Sequence, residues 1–263
     1  MYGSTLLNLG SGGPSYNAHL VHNPVISGTD KVVGSGALVL SPARSQYVQI
    51  PTFTSGGGGL SFAYWIKQTG PTSGTIFDFG NRGAEDSISA VVAWGQYAFN
   101  YVGNNSRLHS EEVSAVKGND WTHIAWTVGR RGDWVLYVNG ASESTYSSVF
   151  SPPPVTRSYN YIGWSNRSAN SQFDGAIDEF YMFQTALSPD QVLQLYDEGE
   201  GVRVGLVLVQ AGSFVTSVAI PIKALVILIV GCVTVRVDVL EYSKSPDDTL
   251  PLFGLFVAMY SRR

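Results

Sequence analysis

Short segments in which apolar and polar residues alternate recur along the first two hundred residues, each bounded by turn formers, and they predict β-structure. Ala37–Leu40 and Tyr47–Ile50 flank Ser41-Pro42-Ala43-Arg44-Ser45, and Leu60–Ile66 follows the glycine run Gly56–Gly59. Thr75–Phe79, Ile88–Trp94, Tyr97–Tyr101, Trp121–Val128, Trp134–Val138, Tyr159–Gly163 and Ile177–Phe183 complete the set. Asn139-Gly140 closes the Trp134–Val138 segment, a dipeptide that suits the tight turn of a hairpin. No helical periodicity intervenes, so the expectation is an all-β, two-sheet antiparallel sandwich. The 29 glycines then serve the connecting turns, where positive φ is required.

One short C-terminal helix is expected after the last strand. Ser188-Pro189-Asp190-Gln191 supplies an N-cap serine, proline at the first helical position and glutamine where a capping box needs it. Val192, Leu193, Leu195 and Tyr196 follow as an apolar stripe that ends at Gly199. A helix this short is marginal alone and must pack on the sandwich.

The composition breaks near Gly199–Arg203. The stretch Val204–Val235 holds a single charge, Lys223, whereas charges recur at ordinary intervals before it. Residues 1–200 therefore read as one domain, and 201–263 as a charge-poor hydrophobic tail. Three readings of the tail compete. It is non-native or unstructured sequence, or a membrane anchor through 204–235 that Pro221 and Lys223 weaken. The third is a set of extra strands, for which Val233, Val235, Val237 and Val239 alternate with Thr234, Arg236 and Asp238.

Three blocks resemble the laminin G-like, concanavalin A-like jelly-roll domains, a superfamily that includes the pentraxins. Phe173–Phe183 followed by Ala186–Gln191 is similar to the closing strand and helix of those domains. Trp121–Thr127 with Leu136–Gly140 is similar to their central hairpin, and Gly36–Leu40 with Tyr47–Ile50 to their early strands. The blocks stand in family order over about residues 5–199. The resemblance implies a jelly roll of two curved sheets, used in secreted and cell-surface proteins to bind glycans, proteins or lipids. The family usually opens with an additional strand before the segment matching Tyr2–Asn17, so this chain reads as a fragment, an excised module or a mis-assigned start. No signal peptide is visible at Met1–Leu7.

Several chemistries are disfavoured by the residues themselves. A net charge of −4 argues against nucleic acid, whose affinity rests on lysine and arginine displacing counterions. The single cysteine, Cys232, excludes an internal disulfide framework and a cysteine-rich zinc cluster. Glycoside hydrolysis needs two carboxylates facing one cleft. The acidic pairs Glu85-Asp86, Glu111-Glu112, Asp178-Glu179 and Asp197-Glu198 are all adjacent, which on a strand sends the two to opposite faces. No Gly-x-Ser-x-Gly elbow accompanies the histidines, and His123 between Trp121 and Trp126 reads as structural.

The pentraxin ligand site would follow Gly163, but that stretch, Trp164–Asn170, holds no carboxylate. The resemblance leaves open one structural calcium ion joining the early turn to the final strand, with Asp178 as its carboxylate. A strand aspartate hydrogen-bonded at a sheet edge is the alternative. Carbohydrate recognition would use aromatic platforms with amides nearby. The candidates are Trp94, Tyr97, Tyr101 and Trp164, with Asn104 and Asn166. Arg131-Gly132-Asp133 is an adhesion-type tripeptide on a turn, and Asn104-Asn105-Ser106 and Asn166-Arg167-Ser168 have the form of glycosylation acceptors. The expected function is non-catalytic recognition or adhesion toward a glycan or a protein surface, outside the cell or on its surface. A structural module of a larger surface protein or fibre is the alternative, and a hydrolase the third.

Overall fold

The computed structural model describes residues 5–70, 73–81, 86–93, 96–103, 106–113, 118–147, 150–166, 172–199, 204–211, 214–221 and 254–257; side chains within these stretches are described up to Val92 and from Gly118 to Asp197. The first half of the chain forms β1 (Thr5–Leu6), β2 (Ala18–Val21), β3 (Val25–Ser27), β4 (Ala37–Leu40), β5 (Tyr47–Ile50), β6 (Phe53–Ser55), β7 (Leu60–Gln68), β8 (Gly74–Gly80), β9 (Ser87–Ala93), β10 (Gln96–Gly103) and β11 (Ser106–Val113). The second half forms β12 (Thr122–Val128), β13 (Trp134–Val138), β14 (Ala141–Tyr146), β15 (Val155–Arg157), β16 (Tyr159–Ile162), β17 (Gly175–Phe183) and the helix α1 (Pro189–Gly199). β18 (Val204–Ala211), β19 (Phe214–Pro221) and β20 (Gly254–Val257) follow.

The strands assemble into two large antiparallel sheets. One runs β1-β2-β5-β16-β8-β9-β10-β11, the other β14-β13-β12-β7-β17-β4-β3. Consecutive strands lie in different sheets at several points, which is the jelly-roll arrangement the alternating segments predict. Between the sheets sits an aromatic core. Phe62 of β7 stacks on Phe77 at 4.7 Å and on Trp126 at 5.4 Å, and Trp126 meets Trp134 at 4.8 Å. Tyr64 stacks on Phe180 at 5.5 Å, so β17 is tied into the same core.

β7 and β12 are buried on both faces. Their inward residues fill the core, while Ala63, Ala125 and Tyr137 form a second cluster with Phe183, Leu187 and Val192. That second cluster is where α1 docks. Its capping box forms as the sequence predicts: the Gln191 amide donates to Ser188 Oγ (3.3 Å), and the Ser188 amide donates to Gln191 Oε1 (2.9 Å). The docking face is narrower than the predicted stripe, because Val192 is buried but Leu193 is 44% exposed.

Asn139 (φ 49°) and Gly140 (φ 77°) make the tight turn between β13 and β14, both in the left-handed region that this dipeptide tolerates. Asn139 Oδ1 also accepts the His123 amide at 2.9 Å, tying the turn to β12. His123 is buried between Trp65 (5.3 Å) and Tyr196 (5.9 Å). Burial holds its pKa down to about 3, so it stays neutral in the sheet.

Several strands lacked a sequence signal. β14 reads Ala-Ser-Glu-Ser-Thr-Tyr and is exposed along most of its length at a sheet edge, so no apolar alternation marks it. In the tail, β18 and β19 pair as an antiparallel hairpin and β20 pairs with β17. The Val233–Val239 alternation lies outside the described residues, as does all of 204–235 beyond the hairpin. No helix among the described residues is long and apolar enough to cross a membrane.

Phe62 contacts aromatic rings from both sheets, so Phe62→Ala should cost about 3–5 kcal/mol of unfolding free energy, read by urea denaturation. A loss below about 1 kcal/mol would show that the two sheets do not share this core.

Candidate functional site

The outward face of the first sheet carries an unbroken polar row. Successive register partners along it are His19, Gln49, Tyr161, Asp78 and Ser89. Their chain neighbours Val48, Ile50, Ile162, Phe77, Phe79, Ile88 and Ala90 belong to the core. Period-two alternation therefore places this row on the opposite face.

Asp78 is the row's anchor, and it has no exposed surface. Ser87 Oγ donates to its Oδ1 at 2.5 Å, and Ser165 Oγ and the Asn166 amide donate to its Oδ2 at 3.1 and 2.8 Å. A buried carboxylate is tolerated only when its lone pairs are met in this way. The two donors at 165 and 166 draw the segment after β16 down over the sheet. Gly163 allows the turn: its φ is 83°, and a Cβ there would lie 2.3 Å from Leu40 Cδ1. Asn166 Nδ2 completes the clamp by donating to the Tyr159 carbonyl at 2.7 Å.

This clamp fixes Trp164, the residue between the glycine turn and the Asp78 donors. Its ring lies 4.9 Å from Tyr47, tilted by 42°, and Tyr47 meets Tyr161 edge-on at 5.5 Å. His22 meets Tyr47 edge-on at 6.3 Å, while its Nδ1 lies 2.8 Å from the Ser45 carbonyl. Trp164, Tyr47 and Tyr161 are half-buried and His22 is exposed, leaving part of each ring open to solvent. An outward aromatic cluster bordered by Gln49 and His19 can stack on an apolar sugar face and hydrogen-bond its hydroxyls.

Of the residues singled out in the sequence, Trp164 and Asn166 lie in this cluster. Trp94 and Asn104 lie outside the described residues. Tyr97 and Tyr101 of β10 are register partners of Val92 and Ile88, two core residues of β9. The Asn166 side chain is spent on Tyr159, which bears on its form as a glycosylation acceptor. Tyr47, His22 and Asp78 were not singled out. The signal for Tyr47 was present, since Val48 and Ile50 point inward and leave Tyr47 and Gln49 outward.

Asp178 sits elsewhere, on β17 of the second sheet, and is buried. The amides of Val32 and Val33 donate to its Oδ2 at 2.8 and 3.2 Å, and the Glu179 amide donates to its Oδ1 at 3.0 Å. These donors are N–H groups, whereas calcium takes 6–8 oxygens. Among the described residues no group of three or more His, Cys, Asp or Glu side chains gathers to hold a metal. As arranged, Asp178 clamps the loop before β4 onto β17. The Arg131-Gly132-Asp133 turn is closed by the Gly132 amide on the Gly129 carbonyl, at 2.9 Å. Its glycine is buried against Phe150, where a Cβ would come within 2.6 Å of the backbone.

Comparison with known proteins places this architecture. A laminin G-like family model, described as the concanavalin A-like lectin/glucanases superfamily, matches residues 42–193. The chain belongs to that superfamily. Human adhesion G-protein coupled receptor D1 is 25% identical over 174 residues, covering 64% of this chain and 20% of the receptor. The bovine receptor of the same name is 23% identical, covering 57% of this chain and 17% of the receptor. The chain thus spans about a fifth of the length of these curated relatives. Among solved structures, domain 4 of the extracellular arabinanase AbnA from Geobacillus stearothermophilus, in complex with arabinotriose, superposes with a TM-score of 0.57 at 20% identity, covering 74% of this chain and 100% of that domain. The ligand binding domain of botulinum neurotoxin serotype D, in complex with N-acetylneuraminic acid, gives 0.56 at 17% identity, covering 79% of this chain and 53% of that one. Both likenesses establish the concanavalin A-like, laminin G-like fold.

Burial raises the Asp178 carboxyl to about 6, against the pull of the Val32 and Val33 amides. A group that holds its proton more tightly when folded favours the folded state less as pH climbs from the unfolded value near 4 to about 6. The unfolding free energy of the wild type, relative to Asp178→Asn, should therefore fall across pH 4–6 and level off above 7. A difference that is flat or rises over that window would contradict the buried, raised carboxyl.

Proposed function

We propose that the laminin G-like unit is a non-catalytic recognition module that binds carbohydrate through the Trp164–Tyr47–Tyr161 face, outside the cell or on its surface. The observation that carries this reading is a surface indole held by the Asp78 clamp beside two tyrosines, on the face of the sheet that turns away from the core. A core has no use for this arrangement, because the three rings are half-buried on the side of the sheet away from the core. Pre-setting the platform lowers the entropy lost on binding.

The relatives support the same reading. The arabinanase domain and the neurotoxin domain have sugars in their solved complexes, and the curated relatives are named as adhesion receptors. The non-catalytic part rests on the two carboxylates at buried positions. Asp78 and Asp178 each accept three N–H or O–H donors, whereas a glycosidase pair flanks the scissile bond and stays available to it.

A glycan array probed with the full chain, including arabino-oligosaccharides and sialylated glycans, should give binding. Trp164→Ala and Tyr47→Ala should each weaken the best hit about tenfold, or ~1.4 kcal/mol, with the thermal unfolding midpoint within a few degrees of the wild type. No binding on the array, or hits unaffected by both substitutions, would overturn this reading in favour of a structural module in a larger surface assembly.

The calcium ion at Asp178 is a separate proposal. The ion would have to displace the Val32 and Val33 amides from the carboxylate. A calcium-dependent rise in the unfolding midpoint, absent in Asp178→Asn, would support it. The same midpoint in calcium and in chelator would leave Asp178 as a loop clamp alone.

A further inference from the structure

We propose that His22 reads charge at the border of the Trp164–Tyr47–Tyr161 face, so that the face takes a saccharide carrying a carboxylate and holds it more tightly as pH falls. This rests on the carbohydrate reading above and adds to it the class of sugar.

The backbone that presents His22 is unusual. β2 ends at Val21, and the next two residues both adopt left-handed backbone, His22 at φ 59° and Asn23 at φ 51°. Histidine and asparagine tolerate that region better than most side chains, yet non-glycine residues enter it rarely, and two in succession need to be held there. Gln46, only 3% exposed, holds them. Its Nε2 donates to the carbonyls of His22 and Asn23 at 3.3 and 2.9 Å, and its Oε1 accepts the Ser41 amide at 3.2 Å. A buried amide is thus committed to one turn that carries an exposed imidazole. Sparsely populated backbone held in place by its surroundings clusters at functional sites.

The ring itself is fixed. A carbonyl oxygen can only accept, so His22 Nδ1, 2.8 Å from the Ser45 carbonyl, carries a proton and donates it. Nε2 is then the ring atom left for a ligand, an acceptor on the neutral ring and a donor on the charged one. The edge-on contact with Tyr47 at 6.3 Å sets the imidazole at the border of the aromatic platform.

The surrounding charges favour an anion. Residues 16–23, 41–50 and 158–166, which build this border and the platform, hold His19, His22 and Arg44 but neither aspartate nor glutamate. His19 and Arg44 are exposed, as His22 is. Asp78, which anchors the clamp, has no exposed surface, and its oxygens already accept from Ser87, Ser165 and the Asn166 amide. A hydrogen bond from an imidazolium to a carboxylate is stronger than one to a neutral hydroxyl. Histidine changes charge between about pH 5 and pH 8, a range over which a sugar carboxylate stays ionised.

The test uses the full chain and saccharide pairs matched except for a carboxylate: sialyllactose with lactose, and cellobiouronic acid with cellobiose. Affinities are measured at about pH 5.5 and about pH 7.5, within the range over which histidine titrates. At least one acidic sugar should bind about fivefold tighter at the lower pH, the worth of about 1 kcal/mol, and tighter there than its neutral partner. The neutral partners control for groups that titrate elsewhere, Asp178 included. His22→Asn keeps a side chain that tolerates the left-handed turn. It should abolish the pH dependence and the preference for the acidic sugar, with the thermal unfolding midpoint near that of the wild type, whereas His19→Gln should leave both in place. Binding that is lost in Trp164→Ala but ignores the carboxylate, the pH or His22→Asn would overturn this inference and leave the carbohydrate reading standing. A pH dependence that follows His19 would overturn it too. Failure of every saccharide to bind would overturn both.

Discussion

A carboxylate with no exposed surface must have its charge met inside the protein, and the outward face of the first sheet is organised around one such group. Asp78 takes Ser87 from the neighbouring strand and Ser165 and the Asn166 amide from the segment after β16. Removing any donor would leave a buried charge short of partners, at about 1–3 kcal/mol or more. The segment 163–166 is therefore held against the sheet, and Trp164 with it. What looks like a surface cluster of aromatics is the visible end of a buried electrostatic requirement.

The second buried aspartate acts in the same manner on the other sheet. Asp178 anchors the loop before β4 through two backbone amides, and the bulge beside it divides β17 into two halves. The first half pairs with β4, and the second is left to β20. In each sheet one carboxylate decides where irregular chain meets regular strand.

The fold was legible because its determinants are local. Val48 and Ile50 alternate with Tyr47 and Gln49, Asn139-Gly140 can hardly avoid a tight turn, and Ser188 with Gln191 states the start of α1. The edge strand β14 was not legible, because a strand exposed on both faces needs no apolar pattern. The candidate site was half legible for a related reason. Trp164 and Asn166 lie next to a strand end, where an aromatic or an amide draws notice. For Tyr97 and Tyr101 periodicity says only that they share a face of one strand, while their register partners Val92 and Ile88 are a long-range fact that it does not carry. Asp78 was hidden for the same reason, since its partners arrive from residues 87 and 165–166.

Membership of the concanavalin A-like superfamily supplies the scaffold, and fold alone does not choose a ligand. The choice here rests on one sheet face. Amide and indole resonances of the full chain, followed by NMR during titration with arabinotriose or the best array hit, test that most directly. The account predicts saturable shifts at the Trp164 indole and at the amides of Tyr47, Gln49, Tyr161 and Asn166, with Trp126 and Trp134 unmoved in the core. Saturable shifts confined to the second sheet or to the Arg131–Asp133 turn would contradict it.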